Sequence, residues 1–583
     1  MKRVFSLFMT AAFLISLCCA GCAPKPGSVT GTETPTAEVT AMPTEAPATE
    51  PATEAPDGIP VRLQNGGKLS FLPEEPLEIP QLSEMVYARP DAEKLIADIE
   101  ALTAKVPGCD DAEELLNDYY PIAEQIQNLS SMDAIAFFRY CMDMSSDYYA
   151  DEYDYCEEQY AIEAEKENEL YAAFAASPCR DALERAYFGE GFFLDYDDFN
   201  AADGTYFDLK QQENDLLFRY YELASTADYT DYSDISKNHE ASGNIFIELV
   251  KVRQRIAEAK GYDNYMDYSY ACEYRRDYTT AEAREYLSLV KTYLAPLMQN
   301  TQIADKYSDY SNWSESKSME MLSAAAERMG GAVWEAFRFM SGHGLYDISY
   351  SRNKMSIGYT SYIGNYESPY IFVDPESKDV LITLFHEFGH FTDWYYNYGI
   401  AGDYETGETY SQAMQYLAFA YADPFSDSAR FANLRATLSD LLVYSVLQEG
   451  AYADFELQVY ALAPEELTVE NLDAIFGQCM EDYGIAGVKG VRFRNIFWSV
   501  YQHFFAYPGY VISYSDSAVA AMQICRLEAE EPGAGVEAFC RLLERTHGKK
   551  FAAVLADVGL DSPFDAAALE KTAAFLRDAF DMD

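Results

Sequence analysis

Two histidines and a glutamate stand close together in the segment His-Glu-Phe-Gly-His at residues 386–390. Within a helix, side chains four residues apart project from one face, so the imidazoles of His386 and His390 can bind one zinc ion. Glu387 is one residue along and points toward the neighbouring position, where it can act as a general base on a metal-activated water. Because the chain has only 6 histidines, this spacing favours a metal site over two unrelated surface histidines.

Two histidines need a third protein ligand if they are to hold zinc while leaving one coordination position open. A helix-like segment downstream supplies two candidates, Glu405 and Glu408. Glu408 is preferred because Ser411, Gln412 and Gln415 follow it at helical spacing and can hydrogen-bond to the ligands. The alternative is that both glutamates are solvated acids at the start of a helix.

A group of hydrogen-bond donors lies near the C-terminus, where His503, Tyr507, Tyr510 and Tyr514 fall within twelve residues. Imidazole and phenol groups can stabilise the oxyanion that forms when water attacks a peptide carbonyl. On its own the segment would indicate an aromatic helix packed in the core. The metal motif makes a role in catalysis the preferred interpretation.

Most of the chain from residue 59 onward has apolar residues at three- and four-residue spacing, which is typical of helices. The clearest such segments are residues 91–105, 281–299 and 316–340. Thr279 and the three residues after it have the composition of a helix start. A further helix is expected from about Tyr404.

Residues 355–373 break the helical pattern because they alternate apolar and polar side chains and are rich in Tyr and Ile. Gly364 and Asn365 separate the two halves, which predicts a β-hairpin. A helix that carries the two histidines is expected from about Lys378. The sequence therefore predicts a mainly helical fold with a small antiparallel sheet directly before the metal-binding helix.

The N-terminus has the features of an export signal. Two basic residues precede an apolar stretch over residues 4–20, and Cys22 follows two small residues. This pattern resembles the bacterial lipobox, which implies removal of residues 1–21 and lipidation of Cys22. The alternative is an uncleaved membrane anchor.

The remainder of the chain divides into three expected parts. Residues 22–58 are rich in Thr, Pro, Ala and Glu and have almost nothing to bury, so we expect a disordered tether. Residues 59–270 form an N-terminal helical region. Residues 271–583 form a catalytic region that carries the zinc motif.

The chain is strongly acidic, with 42 basic and 96 acidic residues and a formal net charge of −54. Such a surface repels phosphate backbones, which argues against nucleic-acid binding. It also biases an open cleft against acidic ligands and toward cationic ones. The simplest interpretation of the charge is solubility alone.

These motifs together resemble peptidase family M3, the thimet oligopeptidase and oligoendopeptidase F family of zinc peptidases. The resemblance rests on Gly358-Tyr359, on the His-Glu-Phe-Gly-His segment, on Glu408 with the following Ser and Gln, and on the segment from His503 to Tyr514. Gln415 stands where the family often has an acidic residue. Tyr514 is the first candidate for a substrate contact and Tyr507 the second.

The resemblance implies an elongated helical body with a deep channel and one zinc ion at its floor. It implies an endopeptidase that cuts internal bonds of short unstructured peptides, with Gly358 and Tyr359 offering a strand edge to the substrate backbone. The lipobox adds an attachment to the outer face of the cytoplasmic membrane. A peptide-binding lipoprotein that keeps a zinc site without turnover, and a structural protein, are the alternatives.

Overall fold

The computed structural model describes eleven stretches of the chain: residues 79–189, 192–193, 196, 204–224, 232–299, 315–375, 380–397, 403–422, 427–486, 495–544 and 549–582. The predicted signal segment, Cys22 and the predicted tether lie outside the described residues. Among the residues described, no helix is both long enough and apolar enough to cross a membrane.

The described chain is mainly helical, as the sequence predicts. Its α-helices of eight or more residues are α1 Ala92–Lys105, α2 Ala112–Met142, α3 Asp147–Ala176, α4 Gly204–Ala224, α5 Tyr232–Ala259, α6 Thr280–Tyr293, α7 Glu315–Met329, α8 Gly331–Gly342, α9 Val380–Asn397, α10 Tyr404–Tyr421, α11 Asp427–Asp440, α12 Glu449–Val459, α13 Val469–Asp482, α14 Ile512–Glu530, α15 Ala534–Leu542, α16 Phe551–Val558 and α17 Ala566–Ala579. The other helical segments, which are short or of the 3-10 or π type, are Leu82–Glu84, Val106–Gly108, Arg180–Leu183, Glu184–Phe188, Tyr265–Tyr268, Ser269–Glu273, Ala295–Gln299, Gly364–Tyr366, Leu441–Gln448, Pro464–Glu466, Phe497–Ser499 and Gln502–Ala506.

Local sequence signals explain where several helices begin and end. The predicted start at Thr279 is a capping box, in which its hydroxyl accepts from the backbone of Glu282 while the Glu282 carboxylate accepts in return. The predicted helix over 281–299 is shorter in the structure, because Pro296 cannot continue an α-helix and the chain changes to a 3-10 turn. The predicted helix over 316–340 is two helices, since Gly330 adopts a φ of 68°.

The only sheet in the described residues has three strands, β1 Tyr346–Asp347, β2 Gly358–Ile363 and β3 Ser368–Val373, in the order β1-β3-β2. The predicted hairpin is present as the antiparallel pair of β2 and β3. The predicted small antiparallel sheet is confirmed in its hairpin, and β1 adds to β3 in parallel, so the sheet as a whole is mixed. A two-residue strand carries too little periodicity to be recognised in a sequence. In this order β2 is an edge strand.

The buried apolar residues form two clusters. One joins α1, α2 and α3 to the sheet and to α7, α8 and α9. The other joins α4, α5 and α6 to α12 and α13. Helices α10 and α14 contribute to both clusters and pack against each other, so they form the join between them. The predicted metal ligands therefore lie on helices at the centre of the protein.

Helices α9 and α10 approach each other so closely that only glycine fits at one position. A Cβ atom on Gly389 would lie 2.5 Å from Cα of Ser411 and 2.6 Å from the carbonyl oxygen of Tyr410. Both atoms belong to the backbone of α10, which cannot turn away as a side chain can. Gly389 therefore sets the distance between the helix that carries the two histidines and the helix that carries Glu408.

We expect Gly389→Ala to destabilise the protein by more than the roughly 1–3 kcal/mol typical of overpacking, because its methyl group would push two backbones apart. Gly407→Ala is the matched control in α10, since nothing lies within 4 Å of its added Cβ. It should be neutral or stabilising by up to about 1 kcal/mol, as Ala favours a helix over Gly. Urea unfolding of both variants measures the difference, and equal stability would contradict the close approach.

Candidate metal centre and active site

Three potential metal ligands converge between α9 and α10. The carboxylate Oε2 of Glu408 lies 3.9 Å from Nε2 of His386 and 3.8 Å from Nε2 of His390. All three ligand atoms lie within 4.8 Å of one another. Within the described residues, this is the only group of three or more His, Cys, Asp or Glu side chains that meets this criterion. The structure therefore brings together the three ligands predicted from the sequence.

The donor set and its spacing fit a zinc ion. Ligand atoms about 2.0–2.1 Å from one tetrahedral ion are roughly 3.3 Å apart, which is close to the observed separations. Burial, together with the neighbouring His390, holds the pKa of His386 well below its usual value. Burial lowers the pKa of His390 to about 4. Both imidazoles are therefore neutral at neutral pH and keep the lone pair that a metal requires.

Two side chains from α10 hold the ligands in place. The Ser411 hydroxyl lies 3.2 Å from Oε2 of Glu408 and 3.0 Å from the Glu408 carbonyl oxygen. The side-chain amide of Gln415 lies 2.8 Å from Nδ1 of His386. With its carbonyl oxygen turned toward Nδ1–H, Gln415 would fix the tautomer in which Nε2 of His386 is available to a metal.

Gln412 faces away from the ligands. Its amide nitrogen lies 3.3 Å from the carbonyl oxygen of Tyr514, and its carbonyl oxygen accepts from the hydroxyl of Ser517 at 3.3 Å. Of the three polar residues that follow Glu408, Ser411 and Gln415 contact the ligands, whereas Gln412 connects α10 to α14.

Glu405, the alternative ligand, has a different set of partners. Its Oε1 lies 2.7 Å from Nε of Arg276, 2.9 Å from the Tyr278 hydroxyl and 2.9 Å from the Ser513 hydroxyl. The ion pair is buried, with 1% of the Arg276 side chain and 2% of the Glu405 side chain exposed. Glu405 therefore lies outside the group formed by Glu408 and the histidines.

The carboxylate of Glu387 is fully buried beside the ligands, and one strand residue holds it. The Thr360 hydroxyl lies 2.8 Å from Oε2 of Glu387 and 2.9 Å from its carbonyl oxygen. Oε1 has no hydrogen-bond partner among the described residues. Burial, opposed by the Thr360 hydrogen bond and aided by Glu408, raises the pKa of Glu387 well above its usual value. Glu387 is thus a basic carboxylate with one oxygen available.

Thr360 is a site residue that the sequence motifs did not predict, although Gly358 and Tyr359 directly before it were predicted. Strand alternation could have found it, because Thr360 lies two residues after Gly358 and shares its face of β2. That face meets α9, and a Cβ atom on Gly358 would overlap the methyl group of Thr383. The absence of a side chain at Gly358 therefore lets β2 approach α9 closely enough for Thr360 to reach Glu387.

Tyr359 faces the other side of the strand. Its side chain is fully buried, and its ring packs 5.1 Å from that of Phe372 and 5.4 Å from that of Phe137. Its side chain is therefore part of the core. A substrate contact by Tyr359 stays a prediction for the backbone of the β2 edge.

His503 is surrounded by tyrosine rings. Its ring stacks on Tyr501 at 4.9 Å and 20°. Burial lowers the pKa of His503 to about 3, so the imidazole is neutral. Its Nε2 atom is buried and has no hydrogen-bond partner among the described residues. The Tyr501 hydroxyl donates to Oε2 of Glu449 at 2.9 Å, which anchors the stack to α12.

The three candidate tyrosines surround this imidazole, with ring centroids 6.1 Å away for Tyr507, 5.7 Å for Tyr510 and 5.9 Å for Tyr514. Of the three, Tyr510 approaches a metal ligand, since its hydroxyl lies 3.5 Å from Oε1 of Glu408. Tyr514 hydrogen-bonds to Tyr510 in turn. The preference for Tyr514 over Tyr507 as a substrate contact stays a prediction, and the structure adds Tyr510 as the residue beside the ligand.

The segment from His503 to Tyr514, the tyrosine-bearing segment, is held in place by Arg276, the same buried arginine that binds Glu405. Arg276 donates to the carbonyl oxygen of Gly509 at 2.8 Å and to the hydroxyl of Ser513 at 2.7 Å. The backbone N–H of Gly509 donates to Oε1 of Glu456 at 2.9 Å. Arg276 thus attaches the tyrosine-bearing segment to Glu405 in the first turn of α10, and Glu456 attaches it to α12.

Two family models match the chain. The model described as "Peptidase M3 N-terminal domain" matches residues 82–197, and the model described as "Peptidase family M3" matches residues 328–574. Together they cover more than half of the 583 residues. The second match includes every predicted ligand and the tyrosine-bearing segment. A search of curated proteins finds no match.

Solved structures of three proteins share the fold. PZ peptidase A, solved with an inhibitor, has a TM-score of 0.71 at 22% identity, covering 86% of this chain and 99% of its own. A protein of Bacillus anthracis str. Ames described as an oligoendopeptidase F has a TM-score of 0.66 at 20% identity, covering 86% and 98%. Oligoendopeptidase F from Enterococcus faecium has a TM-score of 0.52 at 14% identity, covering 84% and 98%.

The two candidate glutamates can be separated by experiment. We expect Glu408→Gln to weaken zinc binding to the apoprotein by roughly two orders of magnitude or more, because it removes a charged ligand. Glu405→Gln should leave zinc binding to the folded protein near that of the wild type. It should instead lower the free energy of unfolding by roughly 3–5 kcal/mol, because Arg276 loses its buried counter-charge.

Zinc titration by calorimetry and urea unfolding measure the two effects on the same samples. Each variant serves as the matched control for the other, since both exchange a buried α10 carboxylate for an amide. Equal loss of zinc affinity in two folded variants would contradict this assignment.

Proposed function

We infer that the chain belongs to peptidase family M3, and we propose that it is a zinc-dependent endopeptidase that hydrolyses internal bonds of short unstructured peptides. The observation that carries the proposal is the placement of Glu387 beside the group formed by His386, His390 and Glu408. Two neutral imidazoles and one carboxylate would hold the ion and leave a coordination position for water or substrate.

A zinc ion bound there would supply a Lewis acid that polarises a peptide carbonyl and lowers the pKa of a water molecule. Glu387 would accept the proton of the attacking water at Oε1, the oxygen that no described residue engages. Burial raises the pKa of this carboxylate, which suits a group that takes up a proton and then gives it to the leaving amine. The same residue therefore serves as base and then as acid.

The orientation of Glu387 depends on β2. Thr360 engages Oε2, so the carboxylate presents its other oxygen to the reacting water. Because Thr360 lies on the hairpin and Glu387 on α9, the general base is fixed relative to the β2 edge. A substrate backbone added to that edge would be held at a constant distance from the base.

His503 and the neighbouring tyrosines are the candidates for stabilising the oxyanion. His503 is neutral and has a buried Nε2 atom without a described partner, so its ring nitrogen can donate to a substrate oxygen. Tyr510 lies beside Glu408 and hydrogen-bonds to Tyr514, which places both phenols near the ligand. We assign His503 the oxyanion contact and the tyrosines the adjoining wall of the substrate site.

Peptides are the proposed substrates because of three findings. The chain matches family M3 models, and the proteins that share its fold are described as peptidases. The strand next to the general base is an edge strand, which is the element to which extended peptides add. We also propose that the site lies in a deep channel that admits only short unstructured chains.

We propose that the mature protein is attached to the outer face of the cytoplasmic membrane through a lipid on Cys22. The support comes from the sequence alone, in the basic start, the apolar stretch and the small residues before Cys22. The Thr/Pro-rich residues up to 58 would then separate the enzyme from the lipid surface. The acidic surface would keep the folded part away from anionic lipids.

We expect Glu387→Gln to keep zinc while lowering kcat by roughly 10²–10⁴-fold, since the amide cannot accept the proton. The assay is cleavage of a quenched fluorescent peptide library by residues 59–583, with metal content measured on the same sample. Glu327→Gln on the exposed face of α7 is the matched control and should behave as wild type.

Cleavage by the wild-type protein should stop with a chelator and return with zinc. Full activity of the zinc-loaded Glu387→Gln protein would contradict the mechanism. Binding of peptides without cleavage by a zinc-loaded wild-type protein would instead favour a peptide-binding lipoprotein.

We expect Thr360→Val to lower kcat/KM by about tenfold, because the loss of one hydrogen bond to a charged group releases the Glu387 carboxylate. Thr360→Ser keeps the hydroxyl and should restore most of the activity. Steady-state kinetics on one peptide measure both variants. If valine and serine gave the same kcat/KM as threonine, Thr360 would have no part in positioning the base.

A further inference from the structure

Helix α3 carries a stripe of carboxylates and tyrosines that the proposed chemistry does not use. Tyr153, Glu157, Tyr160, Glu163 and Glu167 follow one another at spacings of four, three, three and four residues, so they share one face of the helix. Such a face on a surface helix would be fully solvated. Here Glu157 and Glu163 are only 6% and 2% exposed.

A further carboxylate, Asp133 of α2, joins this stripe. Asp133 is 5% exposed and Glu163 is 2% exposed, and each has one buried oxygen without a hydrogen-bond partner, Oδ1 and Oε1 respectively. Neither residue has an ion pair within the described part of the chain. A buried carboxylate that lacks a partner costs free energy, so such a pair indicates a site that another molecule completes.

Asp133 of α2 lies within electrostatic reach of the stripe on α3. Burial, and then the charge of Glu157, raises the pKa of Asp133 well above its usual value. Burial, and then the charges of Glu163, Asp133 and Glu167, raises the pKa of Tyr160 to about 12. Tyr160 therefore interacts with carboxyl groups of both helices, Asp133 of α2 and Glu163 and Glu167 of α3.

One end of the stripe lies between the core face of β2 and the tyrosine-bearing segment. The ring of Tyr153 packs 4.9 Å from that of Phe137, which packs 5.4 Å from that of Tyr359 on the β2 edge strand. Burial raises the pKa of Tyr507, and the charges of Tyr221 and then Glu157 raise it further. Glu157 thus interacts with the tyrosine-bearing segment beside His503, and the stripe leads away from that point along α3.

An organic cation fits this stripe better than a metal ion does. Among the described residues, the three ligands of the zinc site are the only such group with atoms all within 4.8 Å of one another, so these carboxylates are spread too widely to enclose one ion. A guanidinium or an ammonium on a long side chain can span several carboxylates and lie against tyrosine faces. Its positive charge would also favour the ionised form of each carboxyl group.

We propose that Asp133 and Glu163, with Glu157 beside them, form a subsite for a cationic side chain, Arg or Lys, of the substrate peptide. This inference rests on the proposed peptidase function and gives it a substrate class. The peptide would lie with its backbone along β2 and with a basic residue, some positions from the cleaved bond, directed along α3. The enzyme would then prefer basic peptides over neutral ones of the same length.

The test compares two quenched peptides that differ only in one residue, arginine or its neutral isostere citrulline, with that residue moved along the peptide in a series. We expect the wild-type protein to cut the best arginine peptide at least tenfold faster in kcat/KM than its citrulline partner. The double variant Asp133→Asn with Glu163→Gln should reduce this ratio to within twofold of one. Its kcat/KM for the citrulline peptide should stay within threefold of wild type.

Glu165→Gln is the matched control on α3, since 72% of the Glu165 side chain is exposed, and it should keep the wild-type preference. Each single variant, which removes one unpartnered carboxylate, should lower the ratio in part. Equal cleavage of both peptides at every position by the wild-type protein, or an undiminished preference in the folded double variant, would overturn the subsite.

A second measurement separates this proposal from the proposed function. The same peptides are titrated into zinc-loaded Glu387→Gln protein, and the dissociation constants should show the same preference for arginine. Preferential binding of the arginine peptide without any cleavage by the wild-type protein would overturn the peptidase function and keep the subsite. Equal dissociation constants for the two peptides would overturn the subsite.

Discussion

The contact between the backbones of α9 and α10 at Gly389 is the constraint on which the candidate site depends. Two helices at ordinary spacing are held apart by side chains, and ligands from both would then lie too far apart for one ion. Here the absence of a side chain brings the backbone of Ser411 against α9. Glu408, three residues earlier, is thereby carried to within 4 Å of both histidines.

A second glycine, Gly358, allows a similarly close approach on the other side of α9. Gly358 allows β2 to lie against Thr383, and the next residue on that face, Thr360, reaches the general base. Two glycines on two elements thus fix the ligands and the base around one helix. Buried polar contacts then complete the site, since Arg276 joins Glu405 of α10 to the segment that carries Tyr510.

Much of the candidate site could be predicted because its signals are local. The spacing of His386 and His390, the position of Glu387 and the hairpin before them can each be read from a few adjacent residues. The choice between Glu405 and Glu408 could not be made with the same certainty, because residues three apart share a helix face. What separates them is Arg276, which is distant in sequence and forms an ion pair with Glu405.

Other features depend on contacts that no local pattern contains. Thr360 acquires its partner only when the hairpin packs on α9, and β1 is too short to show a period. Asp133 and Glu163 would be taken as solvated helix residues in the sequence, since acidic residues are usually exposed. Their burial results from the packing of α2 against α3 beside the sheet, which places carboxyl groups next to the proposed substrate path.

The most direct test of the account is anomalous X-ray diffraction at the zinc edge from crystals of the zinc-loaded protein. The proposed zinc site predicts one strong peak about 2.0–2.1 Å from Nε2 of His386, Nε2 of His390 and a carboxylate oxygen of Glu408, with a further position open to solvent. A peak coordinated by Glu405, a site closed by a fourth protein ligand, or the absence of zinc between α9 and α10 would contradict it.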